Sequence, residues 1–374
     1  MKRASLKTLA LLIFFLICGS LSARAPAQRA LRELPDWAMD QIREDLAPFA
    51  SGIKRSDIDC YCREEDGVVV LDSSFLVNQP VIRIEIRNNT VRVANGQVDL
   101  VRTRCVVNGL RSLARYAALP DTDLILNIGD GIAPSFQGPV FGFAKPANVR
   151  GILWPDFEMI AAYPGNNYDE IFAKEAVWKS KIKLVMWRGF TTGGIHVDGV
   201  WQSNQLDTWW MLPRACLVLY SLEHPELVDA RFTQVVQAER GVAKQMARRG
   251  LLAPFMSVGE QLRYRYLIDV DGNSCTYSRF YWILRSRSVP LKVASSNIQW
   301  YYRGLKPGIH YVPVEDDLSD LADQIAWLRA HDDEAKKIGL ISCQFAQDFL
   351  NQEMVLRYMH ETLCQYAELL EPLS

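Results

Sequence analysis

Residues 264–280 read YRYLIDVDGNSCTYSRF. An apolar run ends in a polar turn, and the turn opens an apolar stretch of helical character. Strand, turn and helix in that order form the unit of an α/β sheet, whose ligands gather at the carboxyl ends of the strands. Asp269 and Asp271 sit at that end and raise a question of chemistry. An Asp-x-Asp pair holds a divalent metal when both carboxylates project freely from a loop. Here Asp269 lies between Ile268 and Val270, inside the strand, and is expected to face away from Asp271. Gly272, Asn273, Ser274, Thr276 and Ser278 offer backbone N–H groups and hydroxyls at a helix start, which suits ribose hydroxyls and phosphate oxygens. Arg279 adds a cation beside them. The balance favours a loop that grips a nucleotide over a metal site.

The same grammar recurs upstream. NGLRSLARYAAL (108–119) places Leu110, Leu113, Ala114 and Ala117 on one helical face. DLILNIGDG (123–131) then reads as a buried strand leaving through glycines. Asp130, at that exit, is either a general base or a turn aspartate bonded to its own backbone. KIKLVMWRGFTTGG (181–194) is another strand with a glycine-rich exit. Arg188 there offers a forked donor set to a diphosphate, with Gly189 admitting close backbone approach, or else makes a surface ion pair. WPDFEMIAAYPG (154–165) carries Trp154, Asp156, Phe157 and Tyr163, whose aromatics form either the wall of a sugar or peptide cleft or a packed core.

PVIRIEIRNNTVRVANG (80–96) alternates Ile82, Ile84 and Ile86 against Arg83, Glu85 and Arg87 about an Asn88-Asn89 turn, the pattern of a β-hairpin. SVPLKV and GIHYVPV are short strands. A largely helical segment comes after them, with Asp317 as the expected N-cap and Asp320 in the first turn. An amphipathic helix through Met354, Leu356, Met359, Leu363 and Tyr366 closes the chain. Two α/β domains are expected, divided near residues 165–185.

The 374 residues are 49% apolar, enough for a substantial core. Forty-two basic against 43 acidic residues leave a net charge of −1, so nothing draws the whole molecule to nucleic acid, and any anion site must be local. Residues 1–27 show a basic start, an apolar run and small residues, the form of a secretory signal peptide, with an uncleaved membrane anchor as the alternative. The eight cysteines have no zinc spacing and are expected as structural thiols or disulfides; the five histidines have no metal spacing, and His310 reads as a packed core residue. Neither a P-loop nor a Gly-x-Ser-x-Gly elbow occurs.

One ordered set of motifs goes further. EDLAPFASGI, NIGDG, PVFGFAK, WPDF, WRGFTTGG, PELVDARFT, YRYLIDVDGNSCTYSRF, SVPLKV and QWYYRGLKPGIHYVPVEDDLSDL succeed one another along nearly the whole chain. In this the sequence resembles glycosyltransferase family 90, the protein O-glucosyltransferase-like enzymes. The resemblance implies two facing Rossmann-like domains of the GT-B type with the active site in the cleft between them. Residues 28–175, joined by a C-terminal helix at 345–374, would form the acceptor side, and residues 176–344 the UDP-sugar side. It implies inverting transfer of a hexose or pentose from a UDP-sugar, with neither metal nor cofactor, to a hydroxyl of a glycan, lipid-linked glycan or protein. Asp130 maps onto the family's base, Arg188 of WRG onto its diphosphate-binding arginine, and Gly272–Arg279 onto its donor loop. Tyr163 looks like a tyrosine of the cleft. A non-catalytic glycan- or nucleotide-binding protein of the same fold is the other reading. The leader implies the secretory pathway or cell envelope, or, as an anchor in a bacterium, the cytoplasmic face of the inner membrane.

Overall fold

A computed structural model describes residues 33–59, 62–65, 68–71, 80–95, 100–162, 167–197 and 200–371. The leader, Cys60 and Tyr163 lie outside the described residues. From Arg32 onward the chain forms one compact unit, a mixed α/β structure built on two five-stranded sheets.

The first sheet begins with the expected hairpin, β1 (Val81–Arg87) and β2 (Thr90–Asn95). Asn88 and Asn89 turn it with φ of 46° and 61°, the left-handed pair that a tight two-residue hairpin demands and asparagine tolerates. Ile82, Ile84 and Ile86 are buried as their alternation requires. Arg83 on the opposite face is buried too, and its guanidinium meets Asp123 at 3.1 Å and Asp59 at 2.9 Å. β3 (Thr122–Asn127) pairs antiparallel with β1, then β4 (Val140–Gly142) and β5 (Ile152–Leu153) continue in parallel, giving the order β2-β1-β3-β4-β5.

The second sheet is wholly parallel: β6 (Ile182–Phe190), β7 (Val228–Gln234), β8 (Tyr264–Asp269), β9 (Val289–Val293) and β10 (Val312–Val314), in the order β7-β6-β8-β9-β10. Every residue of β9 is buried, as are all of β8 beyond Tyr264. This is why these strands read as unbroken apolar runs rather than alternations. The order is that of a doubly wound fold, and its direction reverses between β6 and β8. A crevice opens at the carboxyl ends of the strands at such a switch point.

The helices around these sheets include α1 (Asp36–Leu46), α2 (Val101–Leu113), α3 (Phe157–Ile160), α4 (Pro213–Glu223), α5 (Tyr277–Arg285), α6 (Leu321–Ala330), α7 (Asp332–Phe349) and α8 (Gln352–Leu369). α2 starts earlier than the apolar spacing of 108–119 indicated. α6 starts later than expected, with Asp320 rather than Asp317 at its N-cap. Leu318 has φ of 63°, a left-handed turn that no helix can run through. α8 buries Met354, Leu356, Met359, Leu363 and Tyr366 and packs on α1, α2 and α3. A short antiparallel ladder between Lys145–Pro146 and Asn297–Ile298 joins the strand-exit loops of the two sheets. Among the described residues no helix is long and apolar enough to cross a membrane.

Candidate functional site

A cleft of about 400 Å³ opens where the exits of β3, β6 and β8 converge. One wall carries Asp130, and the other is the loop and first helical turn from Gly272 to Arg279. The β6–β8 reversal thus holds the cleft that topology alone would place there.

Asp130 lies three residues beyond β3, and its side chain is 38% exposed. Its Oδ1 accepts from Arg102 Nη2 at 2.7 Å, and its Oδ2 accepts from Asn273 Nδ2 at 2.9 Å. Its backbone carbonyl accepts from the Tyr277 hydroxyl at 2.6 Å. Arg102 also donates to the Ile128 carbonyl at 2.9 Å and lies over the ring of Phe157, 4.7 Å from its centre. The acid is therefore held from its own side by an arginine and touched from the far wall by an asparagine. A carboxylate offers about four lone-pair positions, so two bonds leave room for a third partner.

Arg214 and Arg279 stand on the far wall. Arg214 donates to the Asp271 carbonyl at 3.0 Å and the Phe190 carbonyl at 3.0 Å, and reaches the Thr192 hydroxyl. Arg279 donates to the Arg188 carbonyl and to Gln261. Both guanidiniums lie 5.7 Å from the ring centre of Trp187. Neither has an ion-pair partner among the described residues. Burial pushes each down to about 10, so both stay charged at neutral pH. The backbone presses close as well: a Cβ on Gly272 would lie 2.7 Å from Thr192 Oγ1 and 2.8 Å from Arg214 Nη2.

Arg102, Arg214 and Arg279 share one feature. Each occupies the first turn of its helix, α2, α4 or α5. A helix start carries partial positive charge and disfavours a cation. Two such arginines without a carboxylate partner, at helix starts that face one cleft, make a site for an anion.

A lysine sits on the Asp-x-Asp pair. Lys292 Nζ lies 2.9 Å from Asp269 Oδ2 and 2.9 Å from Asp271 Oδ1. Asp269 also accepts from Thr276, and Asp271 from Ser295 at 2.6 Å and Asn297 at 3.1 Å. The two carboxylates do not face apart, contrary to the expectation, because residues two apart along a strand direction share a face. Both turn to one ammonium rising from the neighbouring strand β9. Burial opposes the charge on Lys292, but the two carboxylates more than offset it and hold the ammonium well above its ordinary range. Among the described residues no group of three or more His, Cys, Asp and Glu could hold a metal.

Of the residues expected here, Asp130, Gly272, Asn273, Ser274, Thr276, Ser278 and Arg279 line the cleft. Arg188 does not. Its guanidinium is buried against Asp229, 2.7 Å from Oδ1, and donates to the Trp187 and Asp229 carbonyls. Strand alternation puts it on the sheet face that it shares with Asp229 of β7, and Arg214 lines the cleft instead. Gly189 comes next in β6 and packs under Trp187. Trp154 is a core residue, 4.7 Å from Phe141 ring to ring. Asp156 is fully buried and caps α3, accepting from Glu158 and Met159 N–H groups at 3.0 and 3.1 Å. Burial, then the charge of Glu158, pushes its carboxyl up to about 7. Phe157 acts at one remove, under Arg102, while Glu158 reaches the cleft itself. His310 accepts from the Lys306 N–H at 2.9 Å and packs on Phe345. Cys105, Cys216, Cys275, Cys343 and Cys364 are free thiols.

The sequence model of Glycosyl transferase family 90 matches residues 35–372. The chain belongs to that family. Among relatives, protein O-glucosyltransferase 2 of Danio rerio is 29% identical over 272 residues, 70% of this chain and 50% of its own length. Human protein O-glucosyltransferase 1 is 24% identical over 348 residues, 88% of this chain and 79% of its own. The chain spans about half the length of the zebrafish relative. A solved structure, Anabaena Alr3699/HepE in complex with UDP and glucose, aligns over 72% of this family 90 chain and 76% of its own at a TM-score of 0.38 and 10% identity.

Proposed function

We propose that the chain is a glycosyltransferase that moves a hexose or pentose from a UDP-sugar to a hydroxyl of a glycan, lipid-linked glycan or protein, with inversion and without a metal. The observation that carries the reading is the opposition of a half-exposed strand-end acid, Asp130, to two guanidiniums without carboxylate partners, Arg214 and Arg279, across a single cleft of a family 90 chain. In this reading the diphosphate lies on Arg214, Arg279 and the first turn of α5, and the ribose meets the hydroxyls of the 272–278 loop. The first sheet with α8 forms the acceptor side and the second sheet the donor side, as in the GT-B arrangement.

The acceptor hydroxyl attacks the anomeric carbon from the face opposite UDP. Its proton passes to Asp130, the bond to the β-phosphate oxygen breaks, and the electron pair leaves with UDP. The two arginines stabilise the charge that gathers on the departing diphosphate. Lys292 occupies the two carboxylates that a metal would use, which supports chemistry without one. Placement in the secretory pathway or cell envelope, through residues 1–27 as signal peptide or anchor, belongs to the same reading.

The direct test is a thermal-shift panel of UDP-glucose, UDP-xylose, UDP-galactose and UDP, with and without EDTA, together with an assay for UDP release. Stabilisation by UDP-sugars in EDTA is the expected result. No stabilisation by any of them, or stabilisation only with added Mn²⁺, would refute the reading.

A further inference from the structure

Lys292 does not line the cleft, yet it sits under the loop that forms one wall. It is buried, and its ammonium lies over the rings of Phe280 and Tyr302, 5.2 and 5.6 Å from their centres. Its two carboxylates tie the loop down at both ends: Asp269 holds Thr276, and Asp271 holds Ser295 and Asn297. The same carboxylates act on the cations of the cleft. Asp269 and Asp271 favour the charge of Arg214, and Asp269 favours that of Arg279.

Asp269 and Asp271 contribute two negative charges, and Arg214, Arg279 and Lys292 three positive ones. The cluster has a net charge of +1 only because Lys292 is in it. Without the lysine the two acids would cancel the two arginines.

We propose that Lys292 is a positioning residue for the donor: an internal cation that neutralises the Asp269–Asp271 pair, fixes the 271–276 loop and leaves the arginines free to attract an anion. This rests on the UDP reading of the cleft. The lysine stands where a divalent ion would bridge the two carboxylates, so removing it should expose oxygen ligands suited to a hard cation.

The experiment compares wild type, Lys292→Ala and the double variant Lys292→Met/Asp271→Asn, each as the full chain. UDP affinity is measured in EDTA, and thermal midpoints with and without Mn²⁺. Wild type should bind UDP in EDTA and gain nothing from Mn²⁺. Lys292→Ala should lose about tenfold in UDP affinity or more in EDTA, the size of a charge effect in a screened site. Mn²⁺ should raise its thermal midpoint and restore its UDP binding. The double variant, with the net charge back at +1, should bind UDP at least about threefold more tightly in EDTA than Lys292→Ala.

A folded Lys292→Ala that binds UDP in EDTA as tightly as wild type overturns the proposal. So does a folded double variant as weak as the single one. Should Lys292→Ala fail to fold, Lys292→Met, which keeps the buried volume, takes its place in both comparisons. Should wild type itself not bind UDP, the donor reading fails separately, and Mn²⁺ uptake by Lys292→Ala but not by wild type still tests the place of the lysine.

Discussion

Two strand exits, one from each sheet, carry aspartates and treat them in opposite ways. After β3, Asp130 stays 38% exposed and shares its oxygens between Arg102 and Asn273. After β8, Asp269 and Asp271 turn inward, 0% and 11% exposed, and are held by a buried lysine. The arginines divide in the same way: Arg188 is matched by Asp229, whereas Arg214 and Arg279 are left unmatched beside the cleft. Charges satisfied inside the protein build structure. Those left facing a cavity are available to a ligand.

The largest effect that would sharpen this contrast is at Asp130. Asp130→Asn should lower turnover by about 10²–10⁴-fold, the usual worth of a general base, with UDP affinity preserved. Full activity in that variant would erase the distinction between the two exits. Next come Arg214→Ala and Arg279→Ala, each expected to weaken UDP binding by about 1.5–3 kcal/mol, as read by calorimetry. Arg188→Ala should behave otherwise. Leaving Asp229 unpaired should lower unfolding stability by about 1–3 kcal/mol while the folded variant binds UDP normally. If Arg188→Ala weakened UDP binding as much as Arg214→Ala, the division into matched and unmatched arginines would collapse.

The last contrast concerns pH. The folded protein holds a proton on Asp156 up to about pH 7, whereas the ordinary value is 3.8. The folded state therefore binds more protons between those limits, and stability should fall as pH rises through them. Asn caps a helix as well as Asp and carries no charge. Asp156→Asn should match wild type near pH 4 and exceed it at pH 8, by urea midpoints at the two values. Equal midpoints at both would show that Asp156 ionises freely.

The alternating hairpin, the apolar strands and the closing helix were legible in the sequence because each depends on local periodicity. The strand order of the second sheet was not, since register between distant segments leaves no local mark. Asp130 and the 272–279 loop could be read because glycines and a strand end flagged them. Arg188 misled because adjacency to a glycine turn says nothing about which way a strand side chain points. Arg102 and Arg214 went unnoticed inside helices, although a cation in a helix's first turn is itself a signal. Lys292 gave a similar hint: a lysine in the apolar strand SVPLKV must find a partner when buried.

The bond from Asn273 to Asp130 spans the cleft and makes its two walls answer to each other. A molecule seated on either wall that draws its residue away breaks this link once, for both. The second arrival then meets a partner already released. With donor and acceptor on opposite walls, as proposed, affinities measured one ligand at a time should understate the pair, and occupancy of the two sides should rise together.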